Sequence, residues 1–331
     1  MEQKNISICF FHNISDRLFS ADFIFINSNV FRLHWHNSDF IFDFLKRARK
    51  KNLKSFWFDT TDSTWVTQFG VLPYVDLFLK SQIFSDPSNY LREFRSGRIF
   101  TDYFDDLYST KEKESPYYIP DESLLLEKIR ISWNTCFENY TEQRYGIVSR
   151  LKHKLAPYLH FDEALKIRFT PAEKIRTNAV SCRLGITHKR PSIAMHRKAV
   201  VRIMETLGVA CGKIPLKQFF AEMHNSQIGI GPFGFGEITL RDFEIIICGC
   251  ALVKPDMSHL RTWPDLFLPN KTYVPHKWDL SDLEEKIIQM IKKPEYSREI
   301  AKSAQEVYKH ALSYAGQEAF VERLIGYMDE V

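Results

Sequence analysis

The segment from Ile228 to Asp256 holds the residues whose types and spacing most clearly suggest chemistry. Three of its glycines have the spacing G-x-G-x-x-G, namely Gly229, Gly231 and Gly234. Between a strand and a helix this spacing is typical of a dinucleotide-binding turn, and Asp256 stands roughly 20 residues farther on, where such a domain places an acid for the ribose. Pro232 inside the loop and the bulky Phe233 are unusual for a turn that approaches a pyrophosphate. A nicotinamide-dependent oxidoreductase is therefore one candidate function.

The charged residues of the same segment suggest a different ligand. If a helix begins near Gly236, then Glu237, Arg241 and Glu244 share one face of it, because they are four and seven residues apart. The glycine loop lets backbone amides approach a ligand, and the amino terminus of a helix favours a phosphate. A carboxylate one or two turns into the helix can accept hydrogen bonds from a ribose diol. The combination is suited to a sugar nucleotide.

Cations that could neutralise a diphosphate lie at the end of the strand predicted at 179–186 and in the loop after it. Arg183 and Lys189 are the candidates. The alternative is a solvated loop, which is the favoured interpretation of Arg190. Arg241 either reaches the phosphate or pairs with the glutamates on its own helix. The sequence leaves both alternatives open.

The sequence FGFGEITLRDFEIIICGCALVKPD resembles the donor-binding segment of GT-B glycosyltransferases, in particular their group 1 and spore-maturation-like branch. The likeness extends over Ala179 to Ala315 and lies in a glycine-rich turn, an Arg-x-x-Glu pair, a small-residue step and a strand. It implies that Glu244 binds the ribose of a nucleotide-activated sugar. It also implies donor contacts from Gly234, Gly236, Glu237 and Arg241. Many members of the family have a glutamate where this chain has Gly236, with Glu237 beside it.

Glycosyl transfer requires stabilisation of the departing nucleoside phosphate, and an inverting enzyme also needs a base for the acceptor proton. Candidates for the base are Asp59 and Asp62 in WFDTTDS and His34 or His36 in RLHWHNS, at predicted strand ends of the first half. Turns and helix caps explain the aspartates equally well. The resemblance implies that cations take the place of a metal. No further His or Cys cluster has metal-ligand spacing, so no metal or other cofactor is expected.

Short apolar strands alternate with helical patterns in both halves of the chain, which predicts an α/β fold. Strands are predicted at 6–12, 22–31, 53–63, 75–84, 179–186, 209–214, 227–233 and 250–255. Helices are predicted at 38–51, over most of 121–160, at 192–208, 216–226 and 236–249, and through the carboxyl-terminal tail. The pattern and the resemblance together predict two Rossmann-like doubly wound domains facing each other across a cleft. Residues 1–160 form the acceptor-side domain and residues 161–331 the nucleotide-sugar-binding domain with terminal helices.

Composition excludes several classes of protein. The 331 residues include 45 Lys and Arg against 41 Asp and Glu, a balance that argues against a nucleic-acid binder. The six cysteines have no CxxC spacing and are expected to be reduced, which indicates a cytoplasmic protein. The sequence contains neither a signal-peptide pattern nor the ~18–20 apolar residues that a membrane span needs.

A cluster of cations ends the first predicted helix, namely Lys46, Arg47, Arg49, Lys50, Lys51 and Lys54. One interpretation is a solvated helix end, where cations complement the helix dipole. The other is peripheral attraction to an anionic membrane that carries a lipid-linked or lipopolysaccharide acceptor. The resemblance implies a role in surface polysaccharide assembly. A non-catalytic nucleotide-sugar-binding module is the remaining alternative.

Overall fold

The computed structural model describes residues 6–11, 14–34, 38–65, 67–94, 96–112, 123–141 and 167–331. The first half forms a parallel four-stranded sheet with the strand order β1-β2-β3-β5. These strands are β1 (Phe23–Asn27), β2 (Lys54–Asp59), β3 (Leu77–Lys80) and β5 (Ile129–Ile131), and a further strand, β4 (Gln82–Phe84), leaves the sheet. Helix α1 (Ser38–Lys50) joins β1 to β2, and α2 (Ile99–Tyr108) lies between β4 and β5.

Helix α1 packs on this sheet because its apolar side chains recur with the helical period. Its buried residues are Ile41, Phe44, Leu45 and Ala48, which are three, four and seven positions apart and so form one stripe. Opposite them, Trp57 of β2 and Phe78 of β3 are fully buried in the same hydrophobic cluster. Removal of this apolar surface from water fixes the helix on the sheet.

The second half forms another parallel sheet with the strand order β10-β8-β7-β6. Its strands are β6 (Asn178–Ser181), β7 (Ser226–Ile230), β8 (Ala251–Pro255) and β10 (Tyr273–His276). Helices α3 (Pro191–Thr206) and α4 (Leu216–Met223) lie between β6 and β7, and α5 (Leu240–Ile247) lies between β7 and β8.

A single parallel bridge between Cys182 and Cys211 adds one more strand position beside β6. With this bridge counted, the spatial order of the second sheet is 2-1-3-4-5, and the winding reverses between β6 and β7. In open α/β sheets the crevice at the carboxyl ends of such a switch point is where ligands bind. The topology therefore predicts that a ligand would bind beside the residues that follow β6 and β7.

Three helices follow the second sheet, α6 (Leu283–Lys292), α7 (Pro294–Leu312) and α8 (Tyr314–Asp329). Helix α7 packs on the second sheet, whereas α8 packs on the first. Tyr327 donates a hydrogen bond of 2.5 Å to the carbonyl of Ile131, and Arg130 pairs with Glu330 at 2.7 Å. The predicted domain boundary after residue 160 lies outside the described residues. Helix α8, which the sequence assigns to the second domain, contacts the first sheet.

The two halves are also joined by paired strands. Strand β4 of the first half pairs antiparallel with β9 (Leu260–Thr262) of the second. Beside this ribbon, the side chain of Asn134 donates to the Thr262 hydroxyl at 3.2 Å and to the Pro264 carbonyl at 2.8 Å. Backbone and side-chain hydrogen bonds therefore cross between the halves close to the ligand edge of both sheets.

The predicted α/β fold with two parallel sheets and a helical carboxyl terminus is confirmed. No helix of the described residues is long and apolar enough to cross a membrane.

Four local predictions were wrong. Residues 6–11 are irregular and mostly exposed rather than a strand, because their apolar side chains find no sheet to cover. The predicted helix near residues 122–137 is instead a short 3-10 turn (Ser123–Lys128) followed by β5, whose apolar residues complete the first sheet. The predicted strand at 209–214 is reduced to the Cys211 bridge. Helix α5 begins at Leu240 rather than near Gly236, and the Asp242 carboxylate accepts a hydrogen bond from the Thr239 amide at this start.

We predict that Gly236→Ala destabilises the protein by about 1–3 kcal/mol, the usual cost of forcing an extra methyl group into a packed contact. A Cβ at this position would overlap the backbone carbonyl of Asp62 in the other half. Gly326→Ala is the matched control, since a Cβ there meets no neighbouring atom, and alanine favours a helix interior by about 1 kcal/mol. Urea unfolding followed by circular dichroism measures both variants. Equal or greater stability of Gly236→Ala would show that the halves are not in close contact there.

Candidate functional site

The candidate site lies at the carboxyl ends of β6 and β7, where the second sheet meets the first half. The turn that follows β7 lies against the first half at Gly236, whose backbone contacts the carbonyl of Asp62. Arg98 strengthens this contact, because it donates to the Phe235 carbonyl and pairs with Asp62 at 3.0 Å. The Nη1 of Arg98 is buried and has no hydrogen-bond partner among the described residues.

The glycines of the G-x-G-x-x-G spacing serve mainly to let α5 approach β7. A Cβ on Gly229 would lie 2.7 Å from the Ile245 side chain, and one on Gly231 would lie 2.6 Å from the Asp242 carboxylate. Both positions are therefore filled by the protein's own side chains rather than left open to a pyrophosphate. This packing explains the glycine spacing without a dinucleotide.

The amino terminus of α5 already has an anion of its own. The backbone amide of Thr239 donates to the Asp242 carboxylate at 2.7 Å, and Asp242 pairs with Lys254 of β8 at 2.9 Å. Both members of this pair are fully buried. Burial raises the pKa of Asp242 and lowers the pKa of Lys254, while each partner's charge acts in the opposite direction. The Asp242 carboxylate thus occupies the position at the start of α5 where a bound anion would otherwise lie.

On the same helix, Arg241 in the first turn and Glu244 three residues later form an ion pair at 3.1 Å. The Arg241 guanidinium lies 4.2 Å from the centre of the Phe219 ring and donates to the Arg183 carbonyl at 3.3 Å. The Glu244 side chain keeps only 7% of its surface exposed. This pair is the part of the predicted charged face that the structure retains, next to the end of β6.

Arg197 of α3 is a member of this cluster that the sequence prediction missed. It donates to the Phe233 carbonyl at 3.1 Å and to the Gly185 carbonyl at 3.3 Å, and it lies 3.5 Å from where a Cβ of Gly234 would be. Its Nε is buried without a hydrogen-bond partner in the described part of the chain. Burial lowers the pKa of the Arg197 guanidinium, and the charge of Arg241 lowers it further.

The guanidinium groups of Arg241 and Arg197 thus both donate to backbone carbonyls of the loop after β6, those of Arg183 and Gly185, and Arg197 also donates to the Phe233 carbonyl in the turn after β7. An anion placed between the two guanidinium groups would offset their mutual repulsion and their loss of hydration. The signal that could have identified Arg197 was its place in the second turn of the helix that follows Arg183, a position close to the carboxyl end of β6.

The other predicted phosphate ligands are placed differently. Arg183 is engaged with Glu222 of α4 at 2.6 Å and donates to the Cys211 carbonyl at 3.1 Å. Lys189 is exposed on the loop before α3. Arg190 donates to the Ser96 carbonyl of the first half at 2.8 Å. The structure therefore brings Arg183 to the site as part of an ion pair.

Glu237 is fully buried between the two halves, in the loop before α5 and not on its helical face. The Gln82 side chain donates to its carboxylate at 2.9 Å, the Thr64 amide donates at 3.1 Å, and His259 lies 3.7 Å away. Burial acts to raise the pKa of Glu237, but the contact with His259 and the Thr64 hydrogen bond outweigh it and lower the pKa. The predicted shared face of Glu237, Arg241 and Glu244 was wrong for this reason.

The candidate bases of the first half separate into buried and accessible groups. Asp59 is buried, pairs with Lys80 at 3.4 Å and accepts from the Thr61 amide at 2.8 Å. It therefore stabilises the strand ends rather than facing an acceptor. Asp62 keeps half of its side chain exposed while paired with Arg98. His36 lies outside the described residues.

No family model matches the sequence, and no curated protein matches it. Among solved structures, the chain resembles HepE (Alr3699) of Anabaena in complex with UDP, with 11% identity, a TM-score of 0.40 and coverage of 95% of this chain and 80% of that one. It also resembles sucrose-phosphate synthase of Thermosynechococcus elongatus, with 11% identity, a TM-score of 0.42 and coverage of 94% and 74%.

A third similar structure is the carboxyl-terminal domain of a group 1 glycosyltransferase, LpcC of Francisella tularensis. It has 12% identity and a TM-score of 0.28, and the match covers 45% of this chain and 97% of that one. The similar solved structures are GT-B glycosyltransferases, and they do not identify the spore-maturation branch. With TM-scores below 0.5, these similarities say nothing about the substrates of this chain.

We predict that the stability contributed by Glu237 is lost at acid pH. Its folded-state pKa is lowered, so its contribution is fully present above the unfolded pKa of about 4.3 and disappears as the pH falls through the folded-state value. The difference in unfolding free energy between the wild type and Glu237→Gln should therefore shrink between pH 6 and pH 3, by the urea assay. Glu284→Gln, at an exposed position on α6, is the control and should show no such change. A pH-independent difference for Glu237→Gln would contradict the assignment.

Proposed function

We propose that the protein is a glycosyltransferase that takes a sugar from a nucleotide-activated donor, with the donor's diphosphate bound between Arg197, Arg241 and the glycine turn. The observation that carries the proposal is that two guanidinium groups donate to the loop after β6, at the switch point of a parallel sheet. Glu244 already pairs with Arg241, and an anion that reaches both guanidinium groups would offset the cost of holding Arg197 away from water. Arginine is also the residue best suited to the planar, forked recognition of phosphate oxygens.

Glu244 completes the donor site as the acceptor for the ribose hydroxyls. Arg241 donates to one of its oxygens at 3.1 Å, which fixes the orientation of the carboxylate. A ribose bound to this carboxylate would place its attached diphosphate toward the arginines. The ion pair between Arg183 and Glu222, whose side chains are 16% and 20% exposed, holds Arg183 in place, and the Arg183 carbonyl accepts from Arg241.

In the proposed reaction the bond between the anomeric carbon and the diphosphate oxygen breaks, and its electron pair stays on the nucleoside diphosphate. Arg197 and Arg241 stabilise this developing negative charge, so the reaction needs no metal ion. The acceptor hydroxyl attacks the anomeric carbon. In an inverting enzyme Asp62 takes the acceptor proton, since it is the half-exposed carboxylate that faces the glycine turn from the first half.

The proposed acceptor is a glycan or a lipid-linked glycan of surface polysaccharide or lipopolysaccharide assembly. The cationic end of α1 supports this proposal, since the Lys46 and Arg47 side chains are 53% and 57% exposed and would attract an anionic membrane surface. The proposed location is the cytoplasm, with peripheral contact at the inner membrane face.

We predict that a nucleoside diphosphate such as UDP or GDP, or CMP, raises the thermal unfolding temperature, whereas NAD does not. Arg197→Ala and Glu244→Ala should each weaken nucleotide affinity at least tenfold in calorimetry, because each removes a charged hydrogen bond worth about 1.5–3 kcal/mol. Arg202→Ala, at an exposed position on the same helix α3, is the matched control and should bind normally. Stabilisation by NAD alone, or unchanged affinity in both variants, would contradict the proposal.

We further predict that Asp62→Asn leaves donor affinity unchanged but slows transfer by about 100-fold or more, the usual contribution of a general base. The measurement is release of nucleoside diphosphate with a membrane lipid extract as the source of acceptor. Asp43→Asn on α1, whose side chain is 74% exposed, serves as the control and should retain full turnover. Normal turnover of Asp62→Asn would remove this residue from the mechanism.

A further inference from the structure

Two cysteines lie side by side next to the proposed donor site. Cys182 follows β6 directly and is fully buried, and Cys211 is its partner in the parallel backbone bridge. Bridge partners in neighbouring strands project their side chains to the same face of the sheet, so the two thiols adjoin each other there. Their separation in the chain gave no hint of this pairing, since they are not a CxxC motif.

We propose that Cys182 and Cys211 are a redox modification site that a peroxide converts to a reversible disulfide. The backbone pairing already holds the two residues within the range that a disulfide can bridge. Cys211 is partly exposed at the edge of the sheet, so a small oxidant can reach it. Cys182 stands behind it as the resolving thiol.

The surroundings of Cys211 favour its reaction over that of its neighbour. The neighbouring Cys182 thiol and the Arg183 guanidinium, which donates to the Cys211 carbonyl, lower the pKa of Cys211. They outweigh burial and the charges of Glu205 and Glu222, which act to raise it. The same thiol contact and burial raise the pKa of Cys182. A thiolate next to a cation is the usual form of a reactive cysteine.

The remaining described cysteines lack these features. Cys136, Cys248 and Cys250 are fully buried, and burial raises the pKa of each thiol. Cys9 is exposed and lies at the irregular amino-terminal segment. Within the described residues, partial exposure, a thiol partner and an adjacent cation thus coincide at Cys211.

The oxidation proceeds in two balanced steps. The Cys211 thiolate attacks hydrogen peroxide, the O–O bond breaks, and with one proton a sulfenic acid and one water are formed. The Cys182 thiol then displaces the hydroxyl of the sulfenic acid, so that the S–S bond forms, the S–O bond breaks and a second water leaves. Two thiols have lost two electrons and two protons in total, and a dithiol reverses the change.

This disulfide would act on the proposed donor site, and this consequence rests on the proposed function. Arg183 adjoins Cys182, and its carbonyl accepts the hydrogen bond that orients Arg241. A covalent link between the two strands shifts the end of β6 and with it the Arg241 guanidinium. The oxidised protein should therefore bind the donor nucleotide more weakly.

The test treats the full chain with stoichiometric hydrogen peroxide, blocks free thiols and maps tryptic peptides by mass spectrometry. We predict a disulfide between peptides 177–183 and 203–213 that dithiothreitol removes. Cys211→Ser and Cys182→Ser should both abolish this species, and Cys250→Ser, the buried control, should retain it. Absence of the linked pair in the oxidised wild type, or peroxide products confined to other cysteines, would overturn the proposal.

The consequence for the donor site is measured separately with UDP. Oxidation should weaken UDP binding of the wild type at least threefold and leave Cys211→Ser unaffected. An unchanged UDP affinity in the linked wild type would refute the regulatory effect. If UDP binds neither the reduced nor the oxidised protein while the linked peptides form, the donor assignment fails and the modification site stands.

Discussion

The buried carboxylate of Glu237 is the contact on which the arrangement of the two halves depends. It comes from the second half but takes its hydrogen bonds from Gln82 and Thr64 of the first. A carboxylate without water is costly unless such donors surround it, and separation of the halves would remove the Gln82 and Thr64 donors. The close backbone approach at Gly236 and the β4–β9 ribbon also join the two halves. The junction is thus both polar and closely packed.

Each sheet also has a buried lysine–aspartate pair near its ligand edge. Lys80 pairs with Asp59 in the first half, and Lys254 pairs with Asp242 in the second, and all four side chains have no exposed surface. Burial lowers the pKa of both lysines, and the facing aspartates oppose this effect. Loss of one member of such a pair leaves an uncompensated charge at a cost of about 3–5 kcal/mol. These pairs fix the loops that carry the proposed site.

The charged side chains around the second sheet fall into two groups, those that stabilise the structure and those proposed to bind a ligand. Arg183, Arg241 and Asp242 have charged partners within the protein, whereas Arg197 donates to the backbone carbonyls of Phe233 and Gly185. The thiol pair at the end of β6 lies directly behind this arginine cluster. A covalent change at the thiols and an anion at the arginines would therefore act on the same few backbone atoms.

The sequence by itself determined the α/β alternation and most strand and helix positions, because these follow from periodicity. Spacing within one helix made the Arg241–Glu244 pair one of two open alternatives. Tertiary structure decided which charges remain for a ligand. Arg197 has the pattern of an ordinary helix residue, and Glu237 looked like part of a charged helical face until Gln82, 155 residues away, proved to be its partner. The periodicity of a segment shows which of its side chains pack into a core. A hydrogen bond or ion pair between distant residues depends instead on which strands become neighbours, and no local pattern encodes that.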